Sequence, residues 1–282
     1  MSGGGNPRAA VVQDISGLGR CSMTAAVAVL SVLGVQPCPA PSAVLSNQTG
    51  YGSYALLDCE PVLREFPREW QKRGLRLDGI YTGFFSSLGQ VEATRALLSA
   101  FRAEGTLLLV DPVMADHGRR YPCFDDALCA AVKELAGQAD VLTPNVTEAC
   151  LLTGCAYGAF AEADAPRQRA LLRQMAERLL AGRAQTVVIT GWRQGGRIGN
   201  AAAQSDGFFA LFDSPAQPGS YSGTGDLFAS ALCGYLLRGV ALAEALPRIL
   251  RFLEASLAAA RRLGCPGADG VPFEPCLRLL LD

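Results

Sequence analysis

Short runs of apolar, branched residues alternate along this chain with longer stretches of helical pattern, and no other feature narrows the fold as much. Ala9-Ala10-Val11-Val12 reads as a strand, and Ser22 to Leu33 as a helix that Gly34 can end. Gly79-Ile80-Tyr81-Thr82 is a second short strand, followed by a helix from Gln90 to Glu104 with Gly105 as its stop. Thr106 to Val110 is nearly all apolar, as expected of a strand covered on both faces. Asp125 to Ala136 is helical, Val141-Leu142-Thr143 extends, and Pro166 to Leu180 is an amphipathic helix. Thr186-Val187-Val188-Ile189-Thr190 is the cleanest buried strand, and Asp206 to Phe212 is hairpin-like. Helical sequence then runs through Leu236 and from Leu242 to Arg262, with Pro247 near a start or a kink. Strand and helix taking turns imply βαβ units around a mostly parallel sheet, an α/β fold. No linker, composition shift or repeat divides the chain. A single domain over residues 8–282 is expected, after a small polar tail over residues 1–7.

Composition removes several classes of partner. Half of the 282 residues are hydrophobic, 18% are charged, and the formal net charge is −1 with both signs mixed. Neither nucleic acid nor an anionic membrane would find a basic face. No apolar run approaches the roughly 20 residues that span a bilayer, and the tail lacks the apolar core of a signal peptide. A cytoplasmic protein is expected. The ten cysteines are scattered, with no C-x-x-C pair to begin a zinc site. They read as reduced structural thiols, Cys123 in a polar loop being the candidate for an exposed reactive one.

In a parallel α/β sheet, ligands bind outside the carboxyl ends of the strands, so the residues after each strand carry the functional information. Asp111-Pro112-Val113-Met114-Ala115-Asp116 sets two carboxylates beyond a buried strand. Hard oxygen ligands there suit Mg²⁺, although a loop cap and a solvated turn residue explain them equally. In Thr143-Pro144-Asn145 with Thr147 and Glu148, Asn145 or Thr147 can cap a short helix and Glu148 falls in its first turn. The same Glu148 would lie near Asp111 and Asp116 if the strands are neighbours. Asp14-Ile15-Ser16-Gly17-Leu18-Gly19-Arg20-Cys21-Ser22 lies between strand and helix, but Ser22 stands where a dinucleotide fingerprint has its third glycine or alanine. A turn closing over a small substrate, with Asp14 reaching its polar groups, is the better reading. There is no P-loop and no G-x-S-x-G elbow, and the sole histidine, His117, reads as solvent-facing. The glycine-rich stretch 193–205 is a candidate mobile loop.

Gly223-Thr224-Gly225-Asp226 runs straight into the apolar stretch Leu227-Phe228-Ala229-Ser230-Ala231-Leu232. Unpaired amides at the start of a buried helix favour an anion. Asp226 is either an ordinary helix-start acid or a base for a hydroxyl attacking a phosphate. At a helix N-terminus it is expected to be ionised at neutral pH.

Together these segments resemble the ribokinase-type superfamily of small-molecule kinases, and within it the pyridoxal/pyridoxamine kinase family. Ser46-Asn47-Gln48-Thr49-Gly50-Tyr51, Thr82-Gly83-Phe84, Asp111-Pro112-Val113-Met114, Thr143-Pro144-Asn145 and Gly223-Thr224-Gly225-Asp226 fall in the family's order. The resemblance implies a three-layer sandwich with helices on both faces of the central sheet, and ATP-dependent phosphorylation of the 5′-hydroxymethyl group of a vitamin B6 vitamer. It implies Asp226 as catalytic base and Gly223, Thr224 and Gly225 as the anion hole. ATP is implied at Asp111, Asn145, Glu148, Thr190, Gly223 and Thr224; Mg²⁺ and a monovalent cation, K⁺ or Na⁺, at Asp111, Asp116, Thr143 and Glu148. On the substrate side it implies Asp14, Ser16, Thr49 and Phe84 beside Asp226, and it suggests a homodimer. Two positions depart from the family's pattern. Asp14 replaces a serine and Phe84 a stacking tyrosine, which puts the preferred vitamer in question. Hydroxymethylpyrimidine kinases are the second reading; their substrate loop usually reads Gln-Asn-Thr where this chain has Asn47-Gln48-Thr49.

Overall fold

Strand β1 (Arg8–Val12) is built from the first apolar run, and residues 9–12 are wholly buried. The protein is described by a computed structural model over residues 5–216 and 219–281, so the first four residues of the expected tail lie outside it. The chain divides into two units, Met1–Leu107 with Gly219–Asp282, and Leu108–Pro218.

In the first unit β1 is followed by β2 (Ile15–Ser16), α1 (Ser22–Val32), β3 (Gln36–Pro39), β4 (Ala43–Leu45) and β5 (Leu56–Asp58). Next come α2 (Glu60–Leu63), α3 (Phe66–Gln71), β6 (Gly79–Thr82) and α4 (Leu88–Phe101). β1 pairs in parallel with β3 on one side and β6 on the other, Ala10 lying opposite Cys38 and Ile80. A crossover helix between parallel strands is what the alternation predicted. A small sheet in the order β2-β4-β5 was not expected. Its strands are two or three residues long and leave Val44, Leu56 and Leu57 exposed, so no clean burial period marks them. Helix α4 also stops earlier than expected. Its C-cap, Arg102, is already extended, and Gly105, left-handed at φ 84°, belongs to the turn beyond.

The second unit begins within β7 (Leu107–Val110), followed by a hairpin of β8 (Ala115–Asp116) and β9 (Arg119–Arg120), then α5 (Asp126–Ala136) and β10 (Val141–Leu142). Helices α6 (Val146–Thr153), α7 (Tyr157–Ala161) and α8 (Ala165–Leu180) precede β11 (Thr186–Gln194), β12 (Arg197–Gln204) and β13 (Phe209–Pro215). β10 lies parallel between β7 and β11; β12 and β13 then continue the sheet antiparallel. The stretch 193–205 is therefore not a free loop. Left-handed Gly195 and Gly196 make the β11–β12 turn, and Ala201, Ala202 and Ala203 are buried.

The chain returns to the first unit with α9 (Thr224–Leu237) and α10 (Leu242–Leu263), which carries Pro247 inside it. Every residue of α9 from Leu227 to Tyr235 is buried, and the helix packs on α1, β6 and α10. A single-turn 3-10 segment follows at Gly267–Asp269 and a longer one at Glu274–Leu280. Among the described residues no helix is long and apolar enough to cross a membrane. None of the ten cysteines forms a disulfide, and the half-buried Cys123 thiol is raised by burial rather than activated.

The hairpin has a direct check. A Cβ on Gly199 would meet the Phe212 carbonyl oxygen at 2.5 Å and Trp192 at 2.9 Å. Gly199→Ala should therefore lower the stability measured by urea unfolding by about 1–3 kcal/mol, the range for overpacking; a mobile loop would tolerate it.

Candidate functional site

At the carboxyl end of β1 the chain turns through residues 13–22, and its polar groups point inward. Asp14 is buried, with the Ser16 hydroxyl donating to its Oδ2 at 2.8 Å. The Ser22 hydroxyl also bonds it, while burial outweighs both and raises its carboxyl above the ordinary range. Ser16 is itself buried and its hydroxyl is spent on Asp14, so it orients that acid. Gln13 is wholly buried, and neither polar atom of its amide has a partner among the described residues. It lies against Gly83, where a Cβ would come within 2.5 Å of the Gln13 Oε1. Phe84 follows, its carbonyl accepting from the Ser42 hydroxyl at 3.0 Å. In the turn Thr49–Tyr51, Gln48 is the buried member and caps the Gly50 N–H at 2.7 Å, while Thr49 is exposed.

The glycine loop is fixed on the turn after β1. Gly223 is the N-cap of α9 in the left-handed region, φ 79°, and a Cβ there would sit 2.0 Å from the Arg20 carbonyl oxygen. Only glycine meets both conditions. The amides of Thr224, Gly225 and Asp226 open the helix, where no intrahelical acceptor reaches them, and Gly225 is exposed. Asp226 follows in the first turn. The residue keeps some surface, but its carboxyl is enclosed, and that burial pushes its pKa up to about 7. The Asp14 charge adds to the rise and a hydrogen bond from the Ser22 backbone opposes it. The expectation of a fully ionised Asp226 at neutral pH is thus corrected, because desolvation exceeds the help of the helix terminus. Ser22 serves both acids from a left-handed backbone, φ 50°, that a serine seldom adopts. The sequence marked this position only as a missing glycine. Between the acids, the Cys21 thiol is driven up to about 12 by burial and then by Asp226 and Asp14, so it stays protonated.

In the second unit the structure brings Asp111, Asn145, Glu148 and Thr190 to neighbouring strand ends. Asn145 and Glu148 form a reciprocal capping box on α6, at 3.0 and 2.8 Å. The other Glu148 oxygen accepts from the Met114 N–H at 3.1 Å, and the Asn145 amide donates to the Ala115 carbonyl at 2.8 Å. These bonds tie the start of α6 to the loop leaving β7. Thr190 bridges to Asn145, its N–H donating to the Pro144 carbonyl at 2.8 Å. Glu148 is buried and raised well above the carboxylate range, by desolvation first and the Asp111 charge second. Asp116 does not join them. It stands on the β8–β9 hairpin, its side chain 47% exposed beside a still more outward His117, where it accepts from the His117 N–H at 2.8 Å.

These residues fit a hydrated divalent ion better than a protein cage. Among the described residues no group of three or more acidic, cysteine or histidine side chains could hold a metal. Mg²⁺, however, is held by one or two carboxylates with water and phosphate oxygens completing its shell. Two adjacent buried acids, Asp111 and Glu148, are destabilised by each other, and a cation would relieve them. The Thr143 hydroxyl, buried at the same strand end, has no partner among the described residues and can donate or accept.

The family described as phosphomethylpyrimidine kinase matches residues 22–270. A pyridoxine/pyridoxal/pyridoxamine kinase of Bordetella avium is 30% identical over 257 residues, covering 86% of this chain and 82% of its own. A Bacteroides thetaiotaomicron protein provisionally named a phosphomethylpyrimidine kinase, crystallised with pyridoxal, is 32% identical with a TM-score of 0.87, over 98% of this chain and 96% of that one. Pyridoxal kinase from Lactobacillus plantarum is 30% identical with a TM-score of 0.85, again over 98% and 96%. The fold is that of the ribokinase-like small-molecule kinases. Within that class, the chain belongs to the phosphomethylpyrimidine kinase family and, inside it, to the pyridoxal kinases.

The raised Asp226 acid has a consequence for stability. Its folded pKa of about 7 lies above the ordinary 3.8, so between those values the folded state binds more protons than the unfolded one. Stability contributed through this group is present below about 4 and is lost as pH rises towards 7. Asp226→Asn should flatten that dependence and raise the thermal midpoint at pH 8, as followed by calorimetry across the window.

Proposed function

We propose that this protein transfers the γ-phosphoryl group of ATP to the 5′-hydroxymethyl group of a vitamin B6 vitamer, giving the 5′-phosphate and ADP. The observation that carries the reading is Asp226. It stands in the first turn of α9, directly after amides that favour an anion, with a pKa of about 7. A base near the working pH combines a useful ionised fraction with real proton affinity. As the hydroxyl oxygen bonds to phosphorus and the bond to the ADP oxygen breaks, the hydroxyl proton passes to the Asp226 carboxylate. The amides of Gly223, Thr224 and Gly225 offset charge on the transferring group. Asp14, Ser16, Thr49 and Phe84 serve the vitamer, Ser16 through Asp14, and Phe84 supplies an apolar ring face. Asp111, Asn145, Glu148 and Thr190 serve the nucleotide. Asp111, Thr143 and Glu148 serve Mg²⁺ and a monovalent cation, and Asp116, apart on the β8–β9 hairpin, is left out of that set. Bound Mg²⁺ would neutralise phosphate charge. The working form is a cytoplasmic homodimer acting as one kinase domain over residues 8–282.

The matching family, phosphomethylpyrimidine kinase, favours a second reading, with hydroxymethylpyrimidine or its phosphate as the acceptor. The same machinery serves either alcohol. ADP release from ATP and Mg²⁺, measured with pyridoxal, pyridoxamine, pyridoxine and hydroxymethylpyrimidine in parallel, separates them. Turnover on a B6 vitamer supports the first reading, and turnover on the pyrimidine alone replaces it. Asp226→Ala should lower kcat by about two decades or more while ATP still binds by titration. For the active enzyme kcat/KM for the vitamer should fall as pH drops through about 7, where the base takes up its proton.

A further inference from the structure

Beyond α10 the chain comes back to the loops of the first unit, and Asp269 is the point of contact. Its carboxylate accepts a hydrogen bond from the Tyr51 hydroxyl, and its carbonyl accepts from the Arg20 N–H at 3.2 Å. One residue earlier, the Ala268 carbonyl accepts from the Gln48 Nε2 at 2.9 Å; one residue before that, the Gly267 carbonyl accepts from the Ser222 N–H at 3.0 Å. The segment is also tightly seated. A Cβ on Gly267 would lie 2.3 Å from the Ser220 carbonyl oxygen, and one on Gly270 would lie 2.9–3.1 Å from Arg20 and Ser222. Three loops thus meet on four consecutive residues: the turn after β1, the turn carrying Thr49, and the approach to the glycine loop.

We infer that Asp269 is a positioning residue, which holds the Thr49 turn in its substrate-ready shape through the Tyr51 hydroxyl. Neither residue is among those given a role by the sequence. The bond joins an otherwise exposed turn to a fixed anchor, so the entropy of ordering that turn is settled before the acceptor arrives. Asp269 therefore acts on acceptor affinity rather than on the chemical step. The part of the inference that concerns the acceptor rests on the kinase reading above; the part that concerns the turn does not.

Two measurements test it. In hydrogen exchange on the full chain, Asp269→Ala should speed exchange at residues 46–53 and leave α4 and α9 as protected as before. Unchanged exchange at 46–53 would overturn the inference whatever the activity. In steady-state kinetics, Asp269→Ala and Tyr51→Phe should each raise KM for the vitamer by about three- to tenfold, the worth of one hydrogen bond, with kcat and KM for ATP unmoved. The double variant should be no worse than either single one, and Asp269→Asn, which keeps an acceptor oxygen, should restore most of the affinity. Additive single effects, or equal losses for both substrates, would mean a general structural role and overturn it. If wild-type protein turns over no vitamer while exchange at 46–53 still rises in Asp269→Ala, the kinase reading fails and the anchoring of the turn stands.

Discussion

The approach of the Gly223 backbone to the Arg20 carbonyl governs much of the first unit. A side chain at either the left-handed φ or the 2.0 Å Cβ distance would push the start of α9 away from the turn after β1. With glycine there, the first turn of α9 settles close enough for the Asp226 carboxyl to receive the Ser22 N–H and to feel the Asp14 charge. The acid's proton affinity is thus a result of backbone packing three residues before it, at Gly223, and of the left-handed Ser22 that faces it. Protein interiors are close-packed, so the fit is nearly all-or-none.

Each unit contains a pair of neighbouring buried acids, and the pairs are handled differently. Asp14 and Asp226 are bonded by two hydroxyls, of Ser16 and Ser22, and by two backbone amides, of Asp14 itself and Ser22, and both are pushed up by burial. Glu148 has each oxygen bonded to a backbone N–H, yet burial and Asp111 still raise it. Buried acids without compensating cations cost stability.

The strands β1, β6, β7 and β11 were legible because each is a short run of buried apolar residues whose neighbours change character abruptly. The capping box on α6 was half legible: Asn145 and Glu148 stand at the right spacing, and only their docking on the β7 loop needed the fold. The small β2-β4-β5 sheet was hidden by its exposed apolar residues, and β12 by an alanine and glycine content that reads as loop. The pKa of Asp226 was misjudged because a helix terminus is visible locally, whereas burial arises from packing with residues some two hundred positions away. Tyr51 and Asp269, 218 residues apart, carry no local mark of their bond.

The first unit is discontinuous in sequence, and this orders events on the ribosome. Its core lacks α9 until residues 224–237 emerge, although β6 and α1, against which that helix packs, were made long before. The second unit is contiguous and can complete its own strand pairing while the first still waits. During synthesis the apolar faces destined for α9 stay uncovered for the time taken to translate the whole of the second unit. The last fifth of the chain therefore decides when the core of the first unit is complete.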